Sequence, residues 1–274
     1  MFGVYDRINV NKNVWSLFVR ILAIGDIVGL RSIDYLREKL WKYRSENKID
    51  LVVANGENVN DIFGIGAKEA DELLSVGVDV ITTGNHAFGR RDIYDYLENS
   101  DKIIRPVNYP AGTYGNGYTV AFVDGFRVLC INAQGTVYMD SLSSPFEAVD
   151  RILEREKGNY DISLLDFHAE ATSEKVAMGY YLDGRVDVIF GTHTHIATAD
   201  EKILENGSAY ITDIGMTGPV NGVLGTEKEC ILYRFTTKLP KHQKVADGRI
   251  EASGIIVDID PYGKKVNSIE RVRF

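Results

Sequence analysis

Four of the chain's five histidines stand just past the ends of apolar, strand-like runs. His193 and His195, in Gly191-Thr192-His193-Thr194-His195, follow Val186–Phe190. His168 follows the run Ile162–Phe167, and His86 follows Val80–Asn85. Carboxylates and amides stand in the same kind of place: Asp26 after Arg20–Gly25, Glu57 and Asn58 after Asp50–Ala54, and Asn85 beside His86. In open α/β sheets the carboxyl ends of the strands are where ligands and catalytic groups gather. Imidazole, carboxylate and amide donors without thiolates suit iron, manganese or zinc at a catalytic site. The set is too large for one tetrahedral ion. Two ions sharing one bridging carboxylate fit it better, and such a pair, ~3.5–4 Å apart, acidifies a bridging water and clamps the oxygens of a phosphate.

Each residue alone also has a plainer role. Asp26 reads as readily as a helix cap, and Gly84-Asn85-His86 as a turn. Independent roles of that kind, however, would not place nearly all the histidines at strand ends. His242 falls outside the pattern and reads as a solvated loop residue, and Arg90 and Arg91 as a solvated helix start. The loop with Gly64 and Gly66 lacks the lysine and spacing of a phosphate-cradling loop.

Strands alternating with helices must position these groups. Strands are expected at Arg20–Gly25, Asp50–Ala54 and Asp79–Thr83, with helices from Arg31 to about Asn47, Ala67 to Val76 and Asp92 to Glu98. Gly115–Asn132 reads as two strands joined at Asp124-Gly125. A helix from Pro145 to about Lys157, capped by Ser144 with Glu147 three residues on, precedes the strand before His168. A helix over Ala171–Leu182, the strand before Gly191 and a strand at Ala209–Thr212 complete the alternation, followed by a turn-rich loop over Asp213–Pro219. Beyond Glu229 the pattern reads as β at Ile231–Thr236, Arg249–Asp258 and Val266–Phe274. Alternation of this kind implies an α/β fold whose helices pack on a largely parallel sheet. The expected organisation is an N-terminal extension, residues 1–18, that the fold does not need, and one domain over 19–274.

The bulk composition narrows the functional classes. Of 274 residues, 45% are hydrophobic and 26% charged, ordinary for a soluble globular chain. A net charge of -8 argues against extended binding to nucleic acid or to an anionic membrane. Two cysteines are too few for a disulfide scaffold, and Cys130 reads as a packed strand residue. No segment approaches the ~20 apolar residues of a membrane span, so the cytoplasm is the expected location.

The motifs together resemble the calcineurin-like metallophosphoesterases, and within them the YmdB family of bacterial phosphodiesterases. The stretches that carry the resemblance are Ile24–Gly29, Asn55–Asn58, Gly84–His86, Asp166–Lys175, Gly191–His195 and Met216–Pro219. Val28 stands where the wider superfamily has a second histidine, and Glu57-Asn58 where it has its second aspartate. Ala87-Phe88-Gly89 departs from the Thr-Trp-Asp often found in the family, which bears on substrate choice. The resemblance implies a four-layer αββα sandwich with mixed β-sheets. It also implies that Asp26, Asn58 and His195 hold one metal and Asn85, His168 and His193 the other, with Glu57 bridging them. His86 is then the proton donor beside a metal-bridging hydroxide. Iron is the implied metal, in divalent or mixed-valence form, with manganese able to substitute. Small cyclic nucleotides are the implied substrates, 2′,3′-cyclic AMP first and 3′,5′-cyclic AMP second, and the chain is expected to be a homo-oligomer. Other readings of the same residues are a phosphomonoesterase or protein phosphatase, a metal-dependent amidohydrolase, and a regulatory metal-binding scaffold.

Overall fold

A computed structural model of the chain describes residues 18–60 and 63–274. The expected extension therefore lies outside the described residues except for Phe18, whose ring sits under the Arg20 guanidinium at 5.2 Å.

Two six-stranded mixed sheets form the interior. The first contains β1 (Val19–Ile24), β3 (Leu51–Asn55), β4 (Val80–Thr82), β5 (Ile103–Ile104), β14 (Ser253–Asp260) and β15 (Lys265–Arg273), in the order β15-β14-β1-β3-β4-β5. The second contains β6 (Tyr118–Val123), β7 (Phe126–Gln134), β8 (Ile162–His168), β9 (Val188–Thr192), β10 (Lys202–Ile203) and β11 (Ala209–Ile211), in the order β10-β11-β9-β8-β7-β6. The second has a parallel centre with antiparallel strands at both edges, whereas the first is antiparallel only at its β14–β15 side and ends in the parallel strand β5. The central strands β3 and β8 are buried at every residue, as their unbroken apolar runs require of strands covered on both faces.

Three apolar clusters define four layers. Ile21, Ala23, Val53 and Val80 from one sheet meet Val128, Cys130, Leu164 and Phe190 from the other. On the outer face of the first sheet lie α1 (Leu30–Asn47), α2 (Ala67–Ser75) and α3 (Ile93–Asn99), through Ile33, Leu36, Leu40, Leu73 and Leu97. On the outer face of the second lie α4 (Pro145–Arg155) and α5 (Thr172–Leu182), through Val149, Ile152, Met178 and Leu182. This is the expected αββα sandwich. The β6–β7 turn has Asp124 at φ 46° and Gly125 at φ 90°, the pair of left-handed residues that a tight hairpin needs. Ser144 caps α4 by accepting from the Glu147 amide, as expected.

Two segments differ from the sequence reading. Ile231–Thr236 is not a strand but part of the helix α6 (Lys228–Thr237). Its alternating Ile231, Tyr233 and Phe235 suggest β structure, yet among its residues only Cys230 is buried. Among the described residues the segment pairs with no strand, and its backbone is satisfied within the helix, capped at Lys238 in the left-handed region. Within the expected loop Asp213–Pro219, Met216–Pro219 forms β12, which pairs in parallel with β2 (Asp26–Ile27) and antiparallel with β13 (Ile250–Glu251). Four residues of turn-forming type give no periodic signal, but β12 registers Met216 against Asp26 and so fixes where Asp26 stands.

A buried ion pair ties α5 to the start of this segment. Lys175 Nζ donates to Asp213 Oδ2 at 2.7 Å, and each side chain is 1% exposed. Removing one member of such a pair leaves an uncompensated buried charge. Lys175→Met is therefore expected to destabilise the protein by ~3–5 kcal/mol, measured as a fall in the urea midpoint at unchanged slope.

Candidate metal centre

The carboxyl ends of β1, β3 and β4 in one sheet and of β8 and β9 in the other converge on one seam, and the sequence-predicted residues meet there. Asp26, Glu57 and His168 are buried at 0–1% exposure. Around His168 Nε2 lie Asn85 Oδ1 at 2.9 Å, Glu57 Oε1 at 3.1 Å and His193 Nδ1 at 3.1 Å. Around His195 Nε2 lie Asn58 Oδ1 at 3.2 Å and Asp26 Oδ1 at 4.0 Å. The first grouping brings Asn85, Glu57, His168 and His193 together, and the second brings Asn58 and His195 together with Asp26 beside them. The Glu57 carboxylate reaches His168 through one oxygen, and its other oxygen accepts from the His86 amide at 3.1 Å.

The local backbone makes this convergence possible. His193 has φ 97° and His195 φ 64°, so the chain folds back at each and both imidazoles turn inward. Thr194 between them is held by Asp213, whose Oδ2 accepts from the Thr194 amide at 3.2 Å and its hydroxyl at 2.8 Å. The Lys175–Asp213 pair thus anchors the loop that carries two of the imidazoles. Gly84 is required by close approach, because a Cβ there would run into the His168 ring. Gly-Asn-His is therefore more than a turn: the glycine lets its strand end lie against an imidazole of the second sheet.

Hydrogen bonds behind the donors set their orientation. Thr192 Oγ1 donates to Asp166 Oδ1 at 2.6 Å and so accepts from His168 Nδ1 at 2.9 Å, leaving Nε2 facing the centre. Asp166 Oδ2 also accepts from Thr82 at 2.5 Å and Asn55 at 3.1 Å. His193 Nε2 meets Glu170 Oε2 at 2.9 Å, and His195 Nδ1 donates to Leu224 O at 3.2 Å, which directs the opposite nitrogen of each ring to the centre. Asn85 Nδ2 donates to His86 Nε2 at 3.2 Å, which places the His86 proton on Nδ1. The Phe63 ring packs edge-on against His86, with centroids 4.9 Å apart. Sequence reasoning does not single out Asp166, Glu170, Thr192, Lys175 or Asp213 as site residues. A carboxylate or hydroxyl inside or beside a strand has no distinctive spacing, and the positional hint is that Asp166, Glu170 and Lys175 share a motif stretch with His168 and Thr192 one with His193.

The electrostatics call for cations. Burial pushes the Asp26 carboxyl up. Burial would also raise Glu57 and lower His168, but the two face each other, so Glu57 is held down and His168 is held up. Burial and the neighbouring His168 push His193 down to about 3, keeping it neutral and able to donate a lone pair. Asp26 Oδ1 is buried with no hydrogen-bond partner among the described residues, and His168 Nδ1 stands 3.8 Å away from it. Donor atoms about 3 Å apart are also the spacing of neighbours around an ion bonded at ~2.0–2.2 Å. Glu57, His168 and His193 form a group able to hold one ion. The residues present fit a metal centre.

Two cavities open onto it. One, of about 320 Å³, has Glu57, Asn58, His86, His193 and His195 on one side and Val223, Leu224, Ile231 and Phe235 on the other. A second, of about 260 Å³, is lined by Asn85, Tyr138, Met139, Asp140 and His193. Arg90, Arg91 and His242 are exposed and line neither.

Known proteins share the sequence and fold of this chain. The chain is 42% identical over 254 residues to the 2′,3′-cyclic-nucleotide 2′-phosphodiesterase of Bacillus subtilis, covering 93% of this chain and 96% of that protein. The crystal structure of a hypothetical protein from Thermus thermophilus matches with a TM-score of 0.88 at 38% identity, covering 93% of this chain and 99% of that one. A phosphatase from Mycoplasma pneumoniae matches with a TM-score of 0.88 at 31% identity, covering 94% and 93%. A family model described as YmdB-like protein matches residues 22–272. With nearly the whole chain matched, its fold shared and its strand-end donors gathered at one seam, the protein belongs to the YmdB-like family.

Proposed function

We propose that the protein is a metal-dependent phosphodiesterase that opens 2′,3′-cyclic nucleotides. The observation that carries this reading is the buried Asp26 Oδ1, which has no hydrogen-bond partner among the described residues, at a seam of convergent imidazole, amide and carboxylate donors. Similarity to the Bacillus subtilis enzyme supports the substrate class. Asp26, Asn58 and His195 would hold one ion and Asn85, His168 and His193 the other, with Glu57 shared. Iron is the proposed native metal and manganese its substitute.

When bound, the two ions supply an acidified water and neutralise charge on the phosphate. The chain's own part is to position and to move protons. Asp166 and Thr192, Glu170, and Leu224 O fix the rings of His168, His193 and His195. Glu57 holds the His86 amide, and Asn85 holds His86 Nε2, so His86 is aimed by two residues of the centre itself. In its imidazolium form His86 is the proton source for the leaving oxygen and returns to neutral imidazole. Addition of water at phosphorus breaks the P–O2′ bond, the proton from His86 goes to O2′, and the product is a nucleoside 3′-phosphate with a free 2′-hydroxyl.

Protein loaded with iron or manganese is expected to hydrolyse 2′,3′-cyclic AMP, with the product isomer resolved by chromatography. Glu57→Gln should abolish turnover, and His86→Ala should reduce kcat by ~10²–10⁴ while metal content stays at the wild-type level. A His86→Ala variant as active as wild type would remove the assigned acid. A regulatory scaffold instead predicts that Glu57→Gln keeps its cellular effect.

Metal analysis gives a separate check. Two ions per chain are expected, with Asp26→Asn and His195→Ala each binding fewer, and chelation followed by manganese should remove and restore activity. A single ion per chain in the active wild-type protein would overturn the shared-carboxylate centre.

A further inference from the structure

The larger cavity at the centre has two chemically different sides, and the catalytic reading uses only one of them. Beside the donors, the same lining holds Val223, Leu224, Ile231 and Phe235. Phe235 is 69% exposed, and Leu224 and Val223 are 43% and 36% exposed. Ile231 and Phe235 are four residues apart on α6, so they share one face of the helix, one turn above the other. Large apolar side chains left open beside a polar centre mark a ligand surface more often than a solvent surface.

This wall is fixed relative to the centre. Leu224 has φ 52°, and its carbonyl accepts from His195 Nδ1 at 3.2 Å. Val223 and Thr226 exchange backbone hydrogen bonds at 2.8 and 3.0 Å, and Glu227 then leads directly into α6. The polar floor and apolar wall are therefore held in register through the ring of His195. A ligand filling the cavity must carry charge at one end and a flat apolar face at the other. Thr226 and Gln243 on the same lining offer groups for its polar edges.

We infer that this wall is the nucleobase subsite, with Phe235 as its stacking residue, and that it makes purine 2′,3′-cyclic nucleotides better substrates than pyrimidine ones. The inference rests on the phosphodiesterase reading and deepens it. The ring of Phe235 meets a base through its π-face, a contact that every base can make and that grows with the area of the base. The wall contributes to binding and not to bond breaking, so its effect falls on KM.

The test compares 2′,3′-cyclic AMP, 2′,3′-cyclic CMP and methyl ribofuranoside 2,3-cyclic phosphate, which has the ring diester but no base. With metal-loaded wild-type protein, kcat/KM should fall in that order. In Phe235→Ala the preference for cyclic AMP over the base-free ester should shrink about five- to a hundred-fold, chiefly through KM, and Phe235→Trp should restore it. Binding of 2-aminopurine riboside 3′-phosphate, a probe that is not turned over, should quench its fluorescence in wild type and in Phe235→Trp but not in Phe235→Ala. An undiminished preference in Phe235→Ala, or quenching that survives it, overturns the subsite. So does a change in sedimentation coefficient with loss of every activity, which would assign the wall to a second copy of the chain. Failure of wild-type protein to cleave even the base-free ester would instead overturn the phosphodiesterase reading, and the subsite with it.

Discussion

A carboxylate oxygen buried without a hydrogen-bond donor is costly unless a positive charge stands beside it, and the site is arranged around that constraint. Asp26 and Glu57 are fully buried at the seam, and Asp26 Oδ1 has no hydrogen-bond partner among the described residues. The four-layer architecture creates the constraint. Stacking two mixed sheets face to face brings the carboxyl ends of their parallel strands to one edge, where five chain-distant segments deliver polar groups into a water-poor space. Without cations, a proton on His168 carries part of the compensation, which is why that ring is held up while Glu57 is held down. Ions in the same place would supply that charge while taking up the lone pairs of His168 and His193.

Holding the donors still is the task of residues that touch no ion. The Lys175–Asp213 pair does this at a distance, since Asp213 also receives the amide and hydroxyl of Thr194. Two non-glycine residues with positive φ on either side of Thr194 carry backbone strain of about 1–3 kcal/mol each. A threonine gripped at two atoms by a buried carboxylate is what offsets it. Asp166 has the equivalent role on the other imidazole: burial pushes its carboxyl up to about 6, and Thr192 and Thr82 bond both of its oxygens. Stability and site geometry are therefore coupled through the same buried polar groups.

The donors are legible in the sequence because metal chemistry restricts residue type, and strand ends are visible as apolar runs stopping at Gly, Asn or Asp. His193-x-His195, Gly84-Asn85-His86 and Glu57-Asn58 all have that form, and the structure gathers them in two groupings. The orienting residues are not legible, because Asp166, Thr192 and Asp213 act through contacts made only when two sheets meet. The misreading of Ile231–Thr236 has a related cause. Alternation there looks like a strand face, but α6 presents Ile231 and Phe235 to a cavity and Leu232 and Tyr233 to solvent, so its apolar residues answer to no sheet. Met216–Pro219 is read as a loop and not as a strand because a short strand paired to a two-residue partner leaves no period to read.

The placement of His86 and the apolar wall in the same cavity bears on which ester the site suits. In a linear diester the leaving alcohol departs, and the acid that protonates it has no need to lie near the group that binds the other arm. In a 2′,3′-cyclic nucleotide the leaving oxygen stays on the ribose, and the base is on that same ribose. Acid and base-binding surface must then lie within one mononucleotide of each other, on one side of the phosphate. His86 and Phe235 line a single cavity of about 320 Å³ with Glu57, His193 and His195 at its floor. A phosphate ester without a base would use the floor alone and leave the wall without purpose. With the base on the wall as proposed, the cavity suits a nucleotide whose leaving oxygen and base share one ribose, a constraint separate from the ligand set, which mono- and diesterases can share.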